Sequence, residues 1–330
     1  MIIEKILKQL TPERIKKEVE AVQKTNLPPE IQQLLREYKK VSQSDRKEYV
    51  WKWLYRTANI VILPTIEKKY RKSLANIKFL IFFFTGLLDD IADKNKLQNK
   101  KLLKELLKVP FNATSIQFGH LNQKEKTYIK FALKVFKKIG NTFKKYPRYK
   151  EFEEILAYDI TQLLNTIKYS YLVNRNLYLI NKTEYWLYMP HNMTVMINIT
   201  IDLMCSPKFN IRHLGKLREL CWEIQKIMRI ANWLGTWERE IYDSDFTSQV
   251  FGYAIDEGII TSDDFQKKDK SNIISKIKSA DIEKSLLKEW EKIYWKIDRM
   301  NLQKSIIKSS KKISEMLLIY HLSSGTTRDL

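Results

Sequence analysis

An all-α protein is what this sequence predicts, from three observations. Glycine and proline are scarce, eight of each in 330 residues. Most segments carry Leu, Ile, Lys and Glu at the three- and four-residue spacing of a helix face rather than the pattern of a sheet. No stretch reads as a linker, so residues 1–330 are expected to form a single domain. A chain of this length buries roughly three quarters of its unfolded surface, enough for a large core or a core with a cavity.

The elements follow in order. The N-terminus, MIIEKILKQLTPERIKKE, starts as an amphipathic helix, and Thr11-Pro12-Glu13 supplies a capping hydroxyl with proline in the first turn. Asn26-Leu27-Pro28-Pro29 breaks that helix, and another spans 30–41. Residues 44–72 are rich in aromatics (Tyr49, Trp51, Trp53, Tyr55), with a kink expected at Pro64. Further helices are expected at 73–94, 100–107, 123–145, 152–173, 183–205 (breaking near Pro190) and 210–243. Smaller ones cover 247–257 and 263–267, and a long final pair covers 271–322.

Charge and cysteine content narrow the classes. Fifty-nine Lys and Arg against 38 Asp and Glu give +21, which suits nucleic acid, an anionic membrane surface or a phosphorylated substrate. The lysines are spread over nearly every segment, as solvated helix faces would have them, so the bias by itself excludes little; no nucleic-acid partner is expected for the reading preferred below. Cys205 and Cys221 lie on apolar helical stretches without a CxxC or Cys/His pattern, and read as small buried hydrophobes in a reduced compartment. The N-terminus lacks the long apolar region of a signal peptide. Residues 79–88 are too few to span a bilayer, and 185–204 contain Pro190, His191, Asn192, Asn198 and Asp202. A cytoplasmic protein is expected, and a homodimer is neither required nor excluded.

Two clusters carry candidate chemistry. In "FFFTGLLDDIADKNK" (82–96) a nearly unbroken apolar run, begun at Phe79, ends in Asp89, Asp90 and Asp93. Asp89 and Asp93, four apart, share a helix face, with Asp90 beside Asp93 at spacing three. Clustered carboxylates repel one another, and hard oxygens of this kind suit Mg²⁺, which combines one or two carboxylates with waters and substrate phosphate. The plainer reading is a solvated helix end near Lys94 and Lys96. The second cluster, "NWLGTWERE", follows the apolar row Leu214, Leu217, Cys221, Ile224, Met228 and Ala231. It sets Asn232, Thr236 and Glu240 at i, i+4 and i+8, so that an amide oxygen, a hydroxyl and a carboxylate stack along one face for a hard cation. Arg239 beside them is available to a phosphate. Taken alone, this set could also be an ordinary polar face.

Together, the two clusters resemble the metal motifs of the class I terpene synthases (bacterial-type single-domain terpene cyclases). The aspartate-rich DDxxD is matched by Asp89, Asp90 and Asp93, and (N/D)Dxx(S/T)xx(K/R)(D/E) by Asn232, Thr236, Arg239 and Glu240. Order, spacing and chain length resemble that family over most of the chain. The resemblance implies the isoprenoid-synthase bundle, an all-α fold around an apolar central cavity with both motifs at its rim. It implies three Mg²⁺ ions, with Mn²⁺ as a substitute, bound to the diphosphate of a linear prenyl substrate, farnesyl or geranylgeranyl diphosphate. The activity implied is that of a carbon–oxygen lyase acting on phosphates, which ionises the substrate, cyclises the cation and releases diphosphate. Aromatic faces stabilise such a cation without attacking it, and Phe82, Phe83, Trp222 and Trp233 lie near the motifs.

The sequence departs from the family in three places. Trp233 replaces an acid at the second motif's second position. Met189 or Pro190 stands where an arginine diphosphate sensor is common, and "LLIYHLSSG" offers Tyr320 and His321 for a C-terminal Arg-Tyr pair. His191 and Arg175 are the candidate substitutes for the sensor, each a donor for phosphate upstream of the second motif. Their plainer roles are a core histidine at a proline break and a helix-end cap. Rival classes are a prenyl diphosphate synthase, whose second aspartate-rich motif "SDDFQKKD" does not supply, and a squalene- or phytoene-synthase-like enzyme, for which only Asp89 to Asp93 gives a DxxxD. A basic helical protein binding nucleic acid or membrane is the non-enzymatic rival.

Overall fold

Fifteen α-helices account for most of the described residues of the computed structural model, which are 2–42, 44, 46–93, 99–267, 269–302 and 304–325. No strand occurs among them. The helices are α1 Ile2–Leu7, α2 Pro12–Gln23, α3 Pro29–Val41, α4 Glu48–Ile60, α5 Lys68–Ala92, α6 Lys100–Leu106, α7 Gln123–Phe143 and α8 Tyr149–Arg175. They continue as α9 Lys182–Tyr188, α10 Val195–Met204, α11 Leu214–Asp243, α12 Gln249–Asp256, α13 Lys270–Ser279, α14 Ile282–Asp298 and α15 Lys304–Tyr320. No helix of the described residues is long and apolar enough to cross a membrane. The all-α expectation is therefore met.

Two expected elements differ, and one expected break is present. Pro64 does not kink a helix over 44–72: α4 ends at Ile60, and residues 61–67 turn before α5 begins. Proline lacks the N–H that a helix interior needs and drives its predecessor out of the helical region. The freed Leu63 N–H goes instead to Asp202 Oδ2 at 2.8 Å. At Pro190 the expected break is present, as a 3₁₀ stretch over Met189–Met193 that ends in a left-handed Thr194 (φ 54°). The final stretch is three helices, not two: α13 ends at Ser279, and Asp281, in the left-handed region at φ 55°, stands at the N-cap of α14.

The contacts divide the chain into two units, each with its own core. The first comprises residues 22–167 and 197–209 and is organised on α5, which packs against α4, α6 and α7. The near-continuous apolar run of α5 suits a helix buried on most sides, and residues 79–88 are all buried. Tyr38, Trp51, Phe79, Phe83 and Phe131 meet there in tilted and edge-to-face pairs. One fully buried ion pair crosses this core, Lys78 Nζ to Asp202 Oδ1 at 2.8 Å, with Lys78 also donating to the Val61 carbonyl.

The second unit comprises residues 2–21, 168–196 and 210–325 and is organised on α11. This 30-residue helix packs against α12, α14 and α15, against the 3₁₀ stretch Met189–Met193, and against a π-helical turn at His321–Gly325. Trp237 on α11 and Trp290 on α14 are fully buried, and Trp290 stacks on Tyr294 at 5.2 Å. Phe246, Phe251 and Phe265 close the core beside α12.

Candidate functional site

The aspartate cluster sits at the C-terminal end of α5, where the buried run stops. Asp93 caps the helix, its N–H on the Asp89 carbonyl at 2.9 Å, so the helical register expected from spacing holds through the motif. Asp89 and Asp93 are half-buried, one turn apart. Lys94 and Lys96 lie outside the described residues. Asp90 is different, being buried with both oxygens engaged: Oδ2 accepts from Tyr38 OH and Oδ1 from Arg46 Nε, each at 2.7 Å. Burial alone would lower the Arg46 pKa, but the charges of Asp90 and then Asp89 outweigh it and hold the guanidinium more firmly protonated than usual. Burial, and next to it the Asp90 charge, pushes the Tyr38 phenol well up, so Tyr38 stays a donor. Phe83 belongs to the aromatic core, whereas Phe82 is 9 % exposed.

The second cluster lies on α11. Asn232, Thr236 and Glu240 are all buried and follow one another along a single face, as their spacing predicts. Thr236 Oγ1 is 2.6 Å from Glu240 Oε1 and 2.7 Å from the Asn232 carbonyl, and its one proton serves one of them at a time. Glu240 Oε2 is buried, with no hydrogen-bond partner among the described residues. Burial, and after it the nearby Asp245 charge, pushes the Glu240 carboxyl up to about 7. Asp245 is brought back by Ser244, whose left-handed φ of 58° ends α11 and lets the Asp245 N–H reach the Glu240 carbonyl at 2.9 Å. Arg239 is half-exposed and holds Asp243 at 3.0 Å. Trp233, at the departing motif position, is fully buried in the core, its indole N–H on the Thr247 carbonyl and its ring against Trp186.

Of the two upstream candidates, His191 lies on the 3₁₀ stretch, half-buried, with its ring 4.9 Å from that of Trp222 on α11. Arg175 ends α8, exposed, its guanidinium 5.8 Å from the Tyr171 ring centre.

Sequence reasoning missed four residues. Tyr38 and Arg46 reach Asp90 from another helix and a connection, and nothing near the motif signals them. Arg229 and Gln225 were accessible, since they continue the motif's face at steps of three and four residues. Arg229, 5 % exposed, gives an NH1 hydrogen bond to Asn232 Oδ1 at 2.7 Å.

The donor chemistry fits a hard divalent cation on α11. A buried carboxylate oxygen without a partner, aligned with a hydroxyl and an amide oxygen, is stabilised most by positive charge. Among the described residues no group of three or more His, Cys, Asp and Glu side chains gathers to hold a metal ion. The α11 row has one carboxylate, its other oxygens coming from amide and hydroxyl, and on α5 Asp90 is committed to Tyr38 and Arg46. Metal held here would therefore complete its shell with water or with a ligand's own oxygens. No family model matches the chain, and no curated protein matches it either.

Proposed function

We propose that the chain is a Mg²⁺-dependent terpene cyclase of class I, converting a linear prenyl diphosphate, farnesyl or geranylgeranyl diphosphate, to a cyclic terpene with release of diphosphate. The observation that carries the reading is the buried Asn232–Thr236–Glu240 row, with the unpartnered Glu240 Oε2 and the raised Glu240 pKa. A carboxylate kept partly protonated by burial is a ligand waiting for a cation. The second support is the resemblance of this row and of Asp89-Asp90-xx-Asp93 to the paired metal motifs of that family.

In this reading Asn232, Thr236 and Glu240 hold metal on α11, and Asp89 and Asp93 do so at the end of α5. Asp90, also matched to the motif, is locked to Arg46 and acts by fixing the register of its neighbours. Bound Mg²⁺ supplies the positive charge that draws off the leaving diphosphate. Arg239 adds a bidentate donor for the departing oxygens once it exchanges Asp243 for them. The charge that develops on the leaving group is where preorganised cations count most.

Incubation of the full chain with C10, C15 and C20 prenyl diphosphates and Mg²⁺, followed by gas chromatography and a diphosphate-release assay, tests this. A cyclic hydrocarbon or alcohol with stoichiometric diphosphate is expected, and chelation should abolish it. No product and no diphosphate from any substrate overturns the reading. A longer prenyl diphosphate or a head-to-head coupled product would assign the chain to the elongating or squalene-type synthases.

A further inference from the structure

A pocket of about 250 Å³ opens in the first unit between α3 and α4, and no residue of either carboxylate cluster lines it. Its α3 wall is Gln32, Leu35, Arg36 and Lys39, at i, i+3, i+4 and i+7 and hence on one helix face. Its α4 wall is Glu48, Trp51 and Lys52, which share a face in the same way. Leu27, Leu35 and Trp51 are buried and make an apolar floor, while Arg36 and Lys39 are exposed at the rim. The floor is fixed from behind. Trp51 packs edge-to-face on Tyr38 at 5.2 Å and tilted on Phe83 at 4.9 Å, and Gln32 Nε2 donates to the Leu27 carbonyl at 2.7 Å.

The charges at the rim do not balance. Glu48 is the one carboxylate among the lining residues, and it pairs with Lys52 at 3.3 Å, whose Nζ also reaches the Gln23 carbonyl at 2.9 Å. The acids of α3 serve partners outside the pocket: Glu30 accepts from Asn76 Nδ2 at 2.9 Å, and Glu37 pairs with Lys134 at 2.6 Å. Arg36 and Lys39 are left without a hydrogen bond or ion pair among the described residues. Like charges three apart on a helix repel, and an anion seated between them relieves that cost.

We propose that this pocket binds a small organic phosphate monoester, its phosphate held by Arg36 and Lys39 and its non-polar part on the floor of Leu27, Leu35 and Trp51. Two uncompensated cations match a phosphate monoester, which carries about −1.5 to −2 at pH 7, better than a singly charged carboxylate. The guanidinium fork takes two phosphate oxygens, and the ammonium adds a point charge. The volume is below the roughly 300–1,000 Å³ of drug-sized ligands, so the non-polar part is a single ring or a short chain. With Glu48 committed to Lys52, the site needs no metal. It is independent of the proposed cyclase activity.

The test is isothermal titration of phenyl phosphate into the full chain at about 150 mM salt, which screens diffuse attraction, with EDTA to disable phosphate binding through metal. Wild type should bind with a Kd below about 1 mM. That should be at least about fivefold tighter than inorganic phosphate, which lacks the ring, and than benzoate, which lacks the second charge. Arg36→Met should weaken binding at least about tenfold and Lys39→Met about threefold. Lys40→Met removes another exposed α3 charge that does not line the pocket, and should stay within about twofold of wild type. No binding by wild type, equal affinity for inorganic phosphate or benzoate, or Arg36→Met within twofold of wild type overturns the proposal. A Lys40→Met loss as large as that of Arg36→Met overturns it too, because it shows general attraction to a chain of charge +21.

Discussion

Thr236 Oγ1 lies 2.6 Å from Glu240 Oε1 inside the second unit, and the carboxyl so held is pushed up to about 7 by burial and by the Asp245 charge. The metal must displace a proton to bind there, so occupancy is tied to pH. The affinity for Mg²⁺ should be about tenfold higher at pH 8 than at pH 6, as a single group near 7 dictates. Thermal-shift titrations with Mg²⁺ at the two pH values measure this. Equal affinities would remove Glu240 from the ligand set.

The same shift predicts the stability of the metal-free chain. A carboxyl raised from 4.5 to about 7 on folding contributes stability that is complete below the unfolded value and is lost as pH rises through the folded one. Wild type should lose up to about 3 kcal/mol between pH 4.5 and 7.5 relative to Glu240→Gln, which has no proton to release. Urea denaturation across that range compares the two, and parallel pH profiles would contradict the assignment.

At the other motif, stability and activity should separate. Asp90→Asn strips Arg46 of its ion-pair partner and should cost about 2–3 kcal/mol, less than a fully buried pair because Arg46 is partly exposed. Asp89→Asn and Asp93→Asn change half-buried positions and should cost under about 1 kcal/mol while lowering turnover by orders of magnitude. Melting temperatures beside single-turnover rates make the comparison. If all three variants lose rate and stability in proportion, the aspartates act only through the fold.

What the sequence disclosed and what it hid divide along physical lines. The face shared by Asn232, Thr236 and Glu240 follows from helical spacing alone, and the structure repeats it. The commitment of Asp90 does not, because Tyr38 and Arg46 are local to other segments and only tertiary packing brings them to it. The break at Asp281 was hidden for a different reason. Neither glycine nor proline marks 278–282, and an aspartate tolerates the left-handed conformation that divides the expected helix. Arg229 and Gln225 were legible by periodicity, but buried donors become informative only when their partners are known.

The Lys78–Asp202 pair should behave as a structural element of the first unit. Both side chains are fully buried, and burial raises the Asp202 pKa despite the opposing Lys78 charge. Asp202→Ala removes the ion-pair partner of the buried Lys78 and frees the Leu63 N–H, at a cost of about 3–5 kcal/mol. Lys78→Met together with Asp202→Leu removes both charges and should recover much of that loss. Chemical denaturation of the single and double variants tests it. A double variant no more stable than Asp202→Ala would mean that the pair does more than balance charge.

The last prediction ranks the two donors upstream of the α11 row. His191 presses its ring against Trp222, which precedes Gln225 by three residues on α11, so its imidazole borders the Gln225 end of that face. Arg175 has the stronger charge but is exposed at the end of α8, with its guanidinium 5.8 Å from the ring centre of Tyr171 on its own helix. Proximity to the row outweighs charge, because an exposed guanidinium is screened by water while a half-buried donor is not. His191→Ala should therefore weaken binding of a prenyl diphosphate analogue by about fivefold to tenfold and slow ionisation in single-turnover experiments, with Arg175→Ala within twofold of wild type. The contrast holds only if the Trp222 contact is a positioning contact, so Trp222→Leu should reproduce part of the His191→Ala loss. An Arg175→Ala variant that is crippled beside a normal His191→Ala would reverse the ranking and move the anion's approach to the end of α8.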